Sequence, residues 1–157
     1  MTNSDIGQNL ENIRNLLDID APEGNNADDM FEDVLKHNLW GIHIKLENDA
    51  LSDTNPHVCI GWSDMGDMSS LNTTDDFMQE YEKHYQKNNR AKGQDVGMIK
   101  RFTRDVQIGD YIIFAEPNEF HIGKIESDYY YDNSNNPNQN ADYTNNRKVT
   151  WLSLIHI

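Results

Sequence analysis

The chain has 157 residues, about one domain, and its 13 basic against 27 acidic side chains leave a net charge of −14. No apolar run approaches the ~20 residues of a membrane span, and the N-terminus lacks the basic-then-apolar pattern of a signal peptide. A single cysteine, Cys59, excludes a disulfide scaffold or multi-cysteine zinc site, and 3 Trp, 7 Tyr and 5 Phe argue against wholesale disorder, so a cytoplasmic globular protein in a reducing compartment is expected.

Residues 5–19 place Ile6, Leu10, Ile13 and Leu17 on one apolar helical stripe, with Ser4 or Asp5 able to cap its start. After the break APEGNN, a short helix is expected at 28–37, with Asp28 and Asp29 at its positive end and Lys36 and His37 at its negative end. Residues 1–37 hold nine acids against two bases and read as an acidic helical appendage.

The period then changes. In NLWGIHIKL, Trp40, Ile42, Ile44 and Leu46 alternate with Gly41, His43 and Lys45, as in a half-buried strand. HVCIGW (57–62) alternates again, with Val58, Ile60 and Trp62 on one face. Thr73 or Thr74 caps a helix carrying Phe77, Tyr81 and Tyr85, and a further helix is expected at 95–104 with Met98 and Phe102 on one face. A tight turn at Gly109-Asp110 leads into the strand 111–115, which pairs as a hairpin with 119–127. Residues 132–146, with seven Asn in fifteen positions, read as an exposed loop, and Arg147–Trp151 as a last strand. The order predicts an α+β fold: a short-stranded sheet or small mixed barrel with a helical excursion between its second and third strands.

Little here supports catalysis. His57 and Cys59 share a strand face, but no orienting acid or oxyanion donor lies near them in the sequence. The six histidines lack metal-ligand spacing. Asp132, Ser134 and Asn136 start like a calcium loop, but Pro137 stands at the glycine position and Tyr143 at the glutamate position. No phosphate-binding glycine loop is present. No catalytic residue, metal or cofactor is expected.

A binding constellation remains. Residues 83–104 carry seven bases against Asp95, a local net of +6 in an otherwise acidic chain. Trp40, Trp62, Phe102, Phe114 and the run Tyr129-Tyr130-Tyr131 supply aromatic surface, and three consecutive tyrosines cannot all face inward from an extended segment. Aromatic walls beside a basic segment suit the stacking of an extruded base while phosphates are gripped.

The motifs in order resemble the PUA-like (EVE/YTH-related) reader domain found ahead of Mrr-type or McrB-type effector domains. They are the strand around Trp40, Ile60-Gly61-Trp62 with Gly66-Asp67-Met68-Ser69, Gly97–Phe102, Gly109–Phe114, Ile122-Gly123-Lys124-Ile125, Asp128–Tyr131 and Arg147–Trp151. Relatives often carry His before the closing Arg, where Asn145 and Asn146 stand here. The resemblance covers residues 40–151 and implies a PUA-like domain at 38–151 that reads a modified base in DNA, methylated or otherwise, for a restriction or defence effector. The base pocket is expected at Trp62 with Trp40 and Phe114 as walls and Asp64 or Asp67 accepting from an exocyclic amine. Lys92, Lys100, Arg101 and Arg104 are expected on phosphates. A downstream effector domain or subunit is the expected partner, and no membrane is. The alternative is an acidic protein-interaction or DNA-mimic module. Leu152–Ile157 resembles the translation of a sequencing adapter, so a non-native tail on a truncated chain is expected there.

Overall fold

The computed structural model describes residues 33, 36–42, 56–116, 119–132 and 144–156. The predicted helix at 5–19 and the first part of the one at 28–37 lie outside them. Six strands are formed: β1 (Leu39–Ile42), β2 (His57–Ile60), β3 (Tyr111–Glu116), β4 (Glu119–Ile125), β5 (Tyr130–Tyr131) and β6 (Asn145–His156). Between β2 and β3 come a 3-10 turn (Ser63–Met65), helices α1 (Thr74–His84) and α2 (Asn89–Lys100), and a π-helical turn (Arg101–Asp105). The fold is mixed α+β. Hydrogen-bonded neighbours run β1-β3-β4-β6-β2, with β5 on β6, so among the described residues the sheet is an open path ending on β1 and β2.

The chain divides into two compact units. One comprises Met1–His43, Gly109–Lys124 and Trp151–Ile157; the other comprises Ile44–Ile108 and Ile125–Thr150.

In the first unit β1 runs parallel to β3, with Trp40 opposite Ile112, and β3 and β4 form an antiparallel hairpin with Ile113 opposite Ile122. The polar turn before β3 organises this pairing. The buried carboxylate of Asp110 accepts from the Asn38 backbone N–H at 3.1 Å, the Asn38 Nδ2 at 3.2 Å and the Trp40 indole at 2.8 Å. Gly109 takes φ 93°, and a Cβ there would stand 3.0 Å from the His37 ring, so the turn needs a residue without a side chain. Asp33, from the segment read as an appendage, accepts from the Tyr111 hydroxyl and the Lys124 ammonium, each at 2.5 Å. The Lys124 and Tyr111 bonds hold its carboxyl below the usual range, while burial, then the Asp33 bond, pushes the Tyr111 phenol up to about 12.

In the second unit, Thr73 and Asp76 form a reciprocal capping box that starts α1, and the Asn88 side chain caps α2 through the Ala91 N–H at 3.0 Å. Phe77 and Tyr81 from α1 meet Val96 and Ile99 from α2, and Met65 and Met68 close this core from the preceding loop. β6 pairs antiparallel with β2, His57 opposite Lys148, and with β5.

Three expectations are corrected. The second helix starts at Asn89, well before residue 95, and Met98 does not share the face of Phe102: Met98 is exposed and Phe102 buried. Val96 and Ile99 form the inward face, and the wider π turn re-aims Phe102 and Thr103 inward. Strand β2 is not half-exposed, because Val58, Cys59 and Ile60 are all buried, as in a strand covered on both faces. Asn145 and Asn146 are not loop; they are buried at the start of β6, where Asn145 donates to the Gly61 carbonyl and accepts from the Tyr129 hydroxyl. At the other end β6 continues through Trp151 to His156.

Gly123 faces the Trp151 ring so closely that a Cβ would lie 2.9 Å away, whereas one at Gly41 would meet nothing within 4 Å. Gly123→Ala is therefore expected to destabilise by about 1–3 kcal/mol, measured by chemical unfolding. Gly41→Ala should stay within about 0.5 kcal/mol of wild type.

Candidate functional site

The second unit holds a cavity of about 560 Å³ lined by Ser69, Thr103, Arg104, Val106, Gln107, Ile108, Asp128, Tyr129 and Arg147. Four stretches of chain build it: the loop before α1, the π turn with its exit, the Asp128-Tyr129 connection and β6.

Arg147 forms its floor. The residue is 2% exposed, and its guanidinium donates Nε to the Phe102 carbonyl at 2.7 Å, Nη1 to that of Ser127 at 3.0 Å and Nη2 to that of Thr103 at 3.2 Å. It also lies 5.8 Å from the centre of the Phe102 ring. A buried charge is tolerated only with such partners, and a planar fork of donors matches several carbonyls at once. Arg104 forms one wall. It donates Nε to the Leu71 carbonyl at 2.6 Å and Nη2 to those of Met68 and Ser69, which ties down the 68–71 loop. Among the described residues no carboxylate pairs with it.

Tyr129 forms the aromatic wall. Its hydroxyl accepts from the Met68 N–H at 3.1 Å and donates to Asn145 Oδ1 at 2.8 Å. Burial pushes this phenol up to about 12, so it stays neutral across the physiological range. Of the three consecutive tyrosines, which cannot all face inward, Tyr129 lines the cavity, and Tyr130 and Tyr131 are half-buried in β5.

The predicted site residues are distributed differently. Of them only Arg104 lines the cavity. Trp40 belongs to the first unit, where its indole is held by Asp110. Phe114 stands in β3 opposite Ile42 and His121, and its side chain lies outside the described ones. Trp62 is half-buried against the core of the second unit and adopts φ 64°, ψ 38°. This left-handed backbone costs a side-chain-bearing residue roughly 1–2 kcal/mol, which the packing of the indole offsets. Asp64 is exposed on the 3-10 turn, and exposed Asp67 accepts from the Ser69 N–H at 2.9 Å. The cations are largely occupied: Lys92 pairs with Glu82, and Lys100 with Asp105 at 3.0 Å. Arg101 is exposed and makes no such contact among the described residues.

Beneath Trp62 lies an anchor that sequence reasoning passed over. Asp95 accepts from the Tyr81 hydroxyl at 2.5 Å and from Lys87 at 2.8 Å, and the Trp62 side chain also favours its charged form. Burial pushes the Asp95 carboxyl up, but the Lys87, Tyr81 and Trp62 interactions outweigh this and leave it below the usual value. Arg147, Tyr129, Gln107 and Asp128 were also absent from the predicted pocket. The only signal for them lay in the closing Arg-x-Val-x-Trp motif and the tyrosine triplet. Among the described residues no cluster of three His, Cys, Asp or Glu could hold a metal, and no helix is long and apolar enough to cross a membrane.

The chain belongs to the family described as Domain of unknown function (DUF8426), whose sequence model matches residues 40–156. No curated protein and no solved structure is detectably similar to the chain.

Trp62→Ala is expected to lose about 2–4 kcal/mol of stability in urea unfolding, because the ring packs on the core. A variant with unchanged stability would instead mean a ring free for ligand. The Asp95 carboxyl is lowered on folding, so its contribution is present above the unfolded value near 3.8 and is lost as pH falls through the folded value. In Asp95→Asn the acid limb of the stability–pH curve should be shallower than in wild type, as followed by thermal unfolding between pH 2 and 6.

Proposed function

We propose that this DUF8426 chain is a nucleic-acid recognition module that accepts an extruded, modified base of DNA into the cavity of its second unit and serves a restriction or defence effector. One observation carries the reading: the cavity combines an aromatic wall, two guanidiniums and a carboxylate in a volume within the range of small-molecule sites, about 300–1,000 Å³. An extruded nucleotide needs a stacking surface and groups that hydrogen-bond to its edges. Tyr129 offers the first; Gln107 and Asp128 offer the second. A PUA-like arrangement of the strands belongs to the same proposal, supported by the insertion of both helices between β2 and β3. The chain itself carries no catalytic role in this reading, and it acts in the cytoplasm.

The ion pairs bear on how such a module grips the backbone. Of the four cations expected on phosphates, Lys92 and Lys100 are paired with acids, which leaves Arg101 and Arg104. Two phosphate contacts correspond to a salt slope of about −2 in log K against log salt. The same pairing favours the second reading, an acidic module that docks a basic protein. Lys83, Lys87 and Lys124 are likewise held by Glu80, Asp95 and Asp33, so the surface reads as its acids.

Fluorescence anisotropy with a duplex carrying one unpaired methylated nucleotide should show binding about tenfold tighter than to the fully paired duplex, in line with 1–3 kcal/mol for stacking one base. Arg101→Gln should flatten the salt slope by about 1. Equal affinity for both duplexes would remove base extrusion from the reading. Absence of binding to either, with capture of a basic protein, would favour the docking module.

A further inference from the structure

We infer that the cavity of the second unit is an anion site that takes a nucleotide by its phosphate. This deepens the recognition reading, on which it rests for the occupant being a nucleotide. The protein as a whole carries −14, yet among the described residues the charged side chains that line this cavity are Arg104, Arg147 and Asp128, two positive against one negative, a local +1. A cationic concavity in an acidic protein is held there by structure. Arg147 is pinned by the carbonyls of Phe102, Thr103 and Ser127, and Arg104 by those of Met68, Ser69 and Leu71. Carbonyl oxygens satisfy N–H donors without neutralising the charge, so both guanidiniums are oriented before any ligand arrives. Among the described residues no hydrogen bond of Arg104 engages Nη1, which leaves one arm of the fork for an oxygen of the ligand. A guanidinium arm held in this way suits an anionic oxygen such as that of a phosphate, to which it can donate a charge-assisted hydrogen bond.

The rest of the lining fits what a phosphate brings with it. The ring of Tyr129 is held by Met68 and Asn145 through its hydroxyl, a fixed surface for a base or sugar. Asp128 disfavours an anion on its own side of the cavity and so leaves that side for hydrogen-bond donors such as an exocyclic amine or a ribose hydroxyl. Ile108, 55% exposed, is an apolar side chain at the cavity that makes none of these bonds.

The test titrates the full chain with inorganic phosphate, a nucleoside 5′-monophosphate and the matching nucleoside, followed by backbone amide shifts and calorimetry. The monophosphate should bind at least about tenfold more tightly than the nucleoside, the worth of one charge-assisted hydrogen-bonded contact. Arg104→Gln should abolish that preference, and Asp128→Asn should strengthen phosphate binding. Because Arg104 also ties the 68–71 loop, Ile108→Glu provides an independent variant that places a negative charge at the cavity without removing a hydrogen bond. It should weaken the monophosphate and spare the nucleoside, whereas Ile108→Gln should change neither. Equal binding of nucleoside and monophosphate, no binding of either, or an unchanged preference in folded Ile108→Glu would overturn the inference. The duplex assay on the same variants separates the two readings. Phosphate preference without duplex binding would remove nucleic-acid recognition and keep the anion site. Duplex binding without phosphate preference would do the reverse.

Discussion

The second unit depends on one buried charge. Arg147 is almost wholly withdrawn from water, and the desolvation of a guanidinium is recovered only because its donors reach three carbonyls, two adjacent ones on the π turn and one just after β4. Those carbonyls come from irregular backbone, which exposes oxygens that a continuous helix or strand would have used. The π turn and the arginine therefore require each other. The turn frees the Phe102 and Thr103 carbonyls, and the guanidinium gives them a partner that permits their burial. Lysine cannot replace this arrangement, since a single ammonium on a flexible stem cannot span the same three acceptors in one plane. Thr103 reinforces the turn by donating its hydroxyl back to the Ile99 carbonyl at 2.9 Å.

Where local periodicity decides structure, the sequence was legible. The alternation around Trp40 and in residues 111–125 yields β1, β3 and β4, and Phe77 and Tyr81 at i, i+4 yield α1 with Thr73 at its cap. The Gly109-Asp110 turn was readable because one residue supplies the positive φ and the next supplies acceptors for the strand start. Where long-range contacts decide, it was not. The polar run from Asn89 to Asp95 has no apolar period, and its helix rests on the Asn88 cap and on Val96 and Ile99 packing under α1. Asn145 reads as loop by composition and becomes core only because Gly61 and Tyr129 offer matching partners from distant positions.

The site was legible in kind but not in place. Aromatic and basic side chains stand out in the sequence as the chemistry on offer, and Trp62 is the most prominent of them. Its position at a strand end suggested an open edge. Trp62 adopts a left-handed backbone instead, and its ring packs against the core of the second unit. A tyrosine from the triplet lines the cavity, and the charge that shapes the cavity comes from the closing arginine together with Arg104, the last cation of the basic stretch. Pairings such as Lys92 with Glu82 join residues ten positions apart on different helices, and no local pattern encodes them.

Those pairings also set how the surface can change. In most proteins a new anionic partner demands new cations, each of which has to be accommodated where it appears. Here the cations already stand on the surface under the neutralising hand of a neighbouring acid. A single change such as Glu82→Gln or Asp105→Asn would release a lysine that is already positioned, without adding one. The acidic excess then acts as a reservoir of masked positive charge, and diversification toward polyanions can proceed by losing acids one at a time.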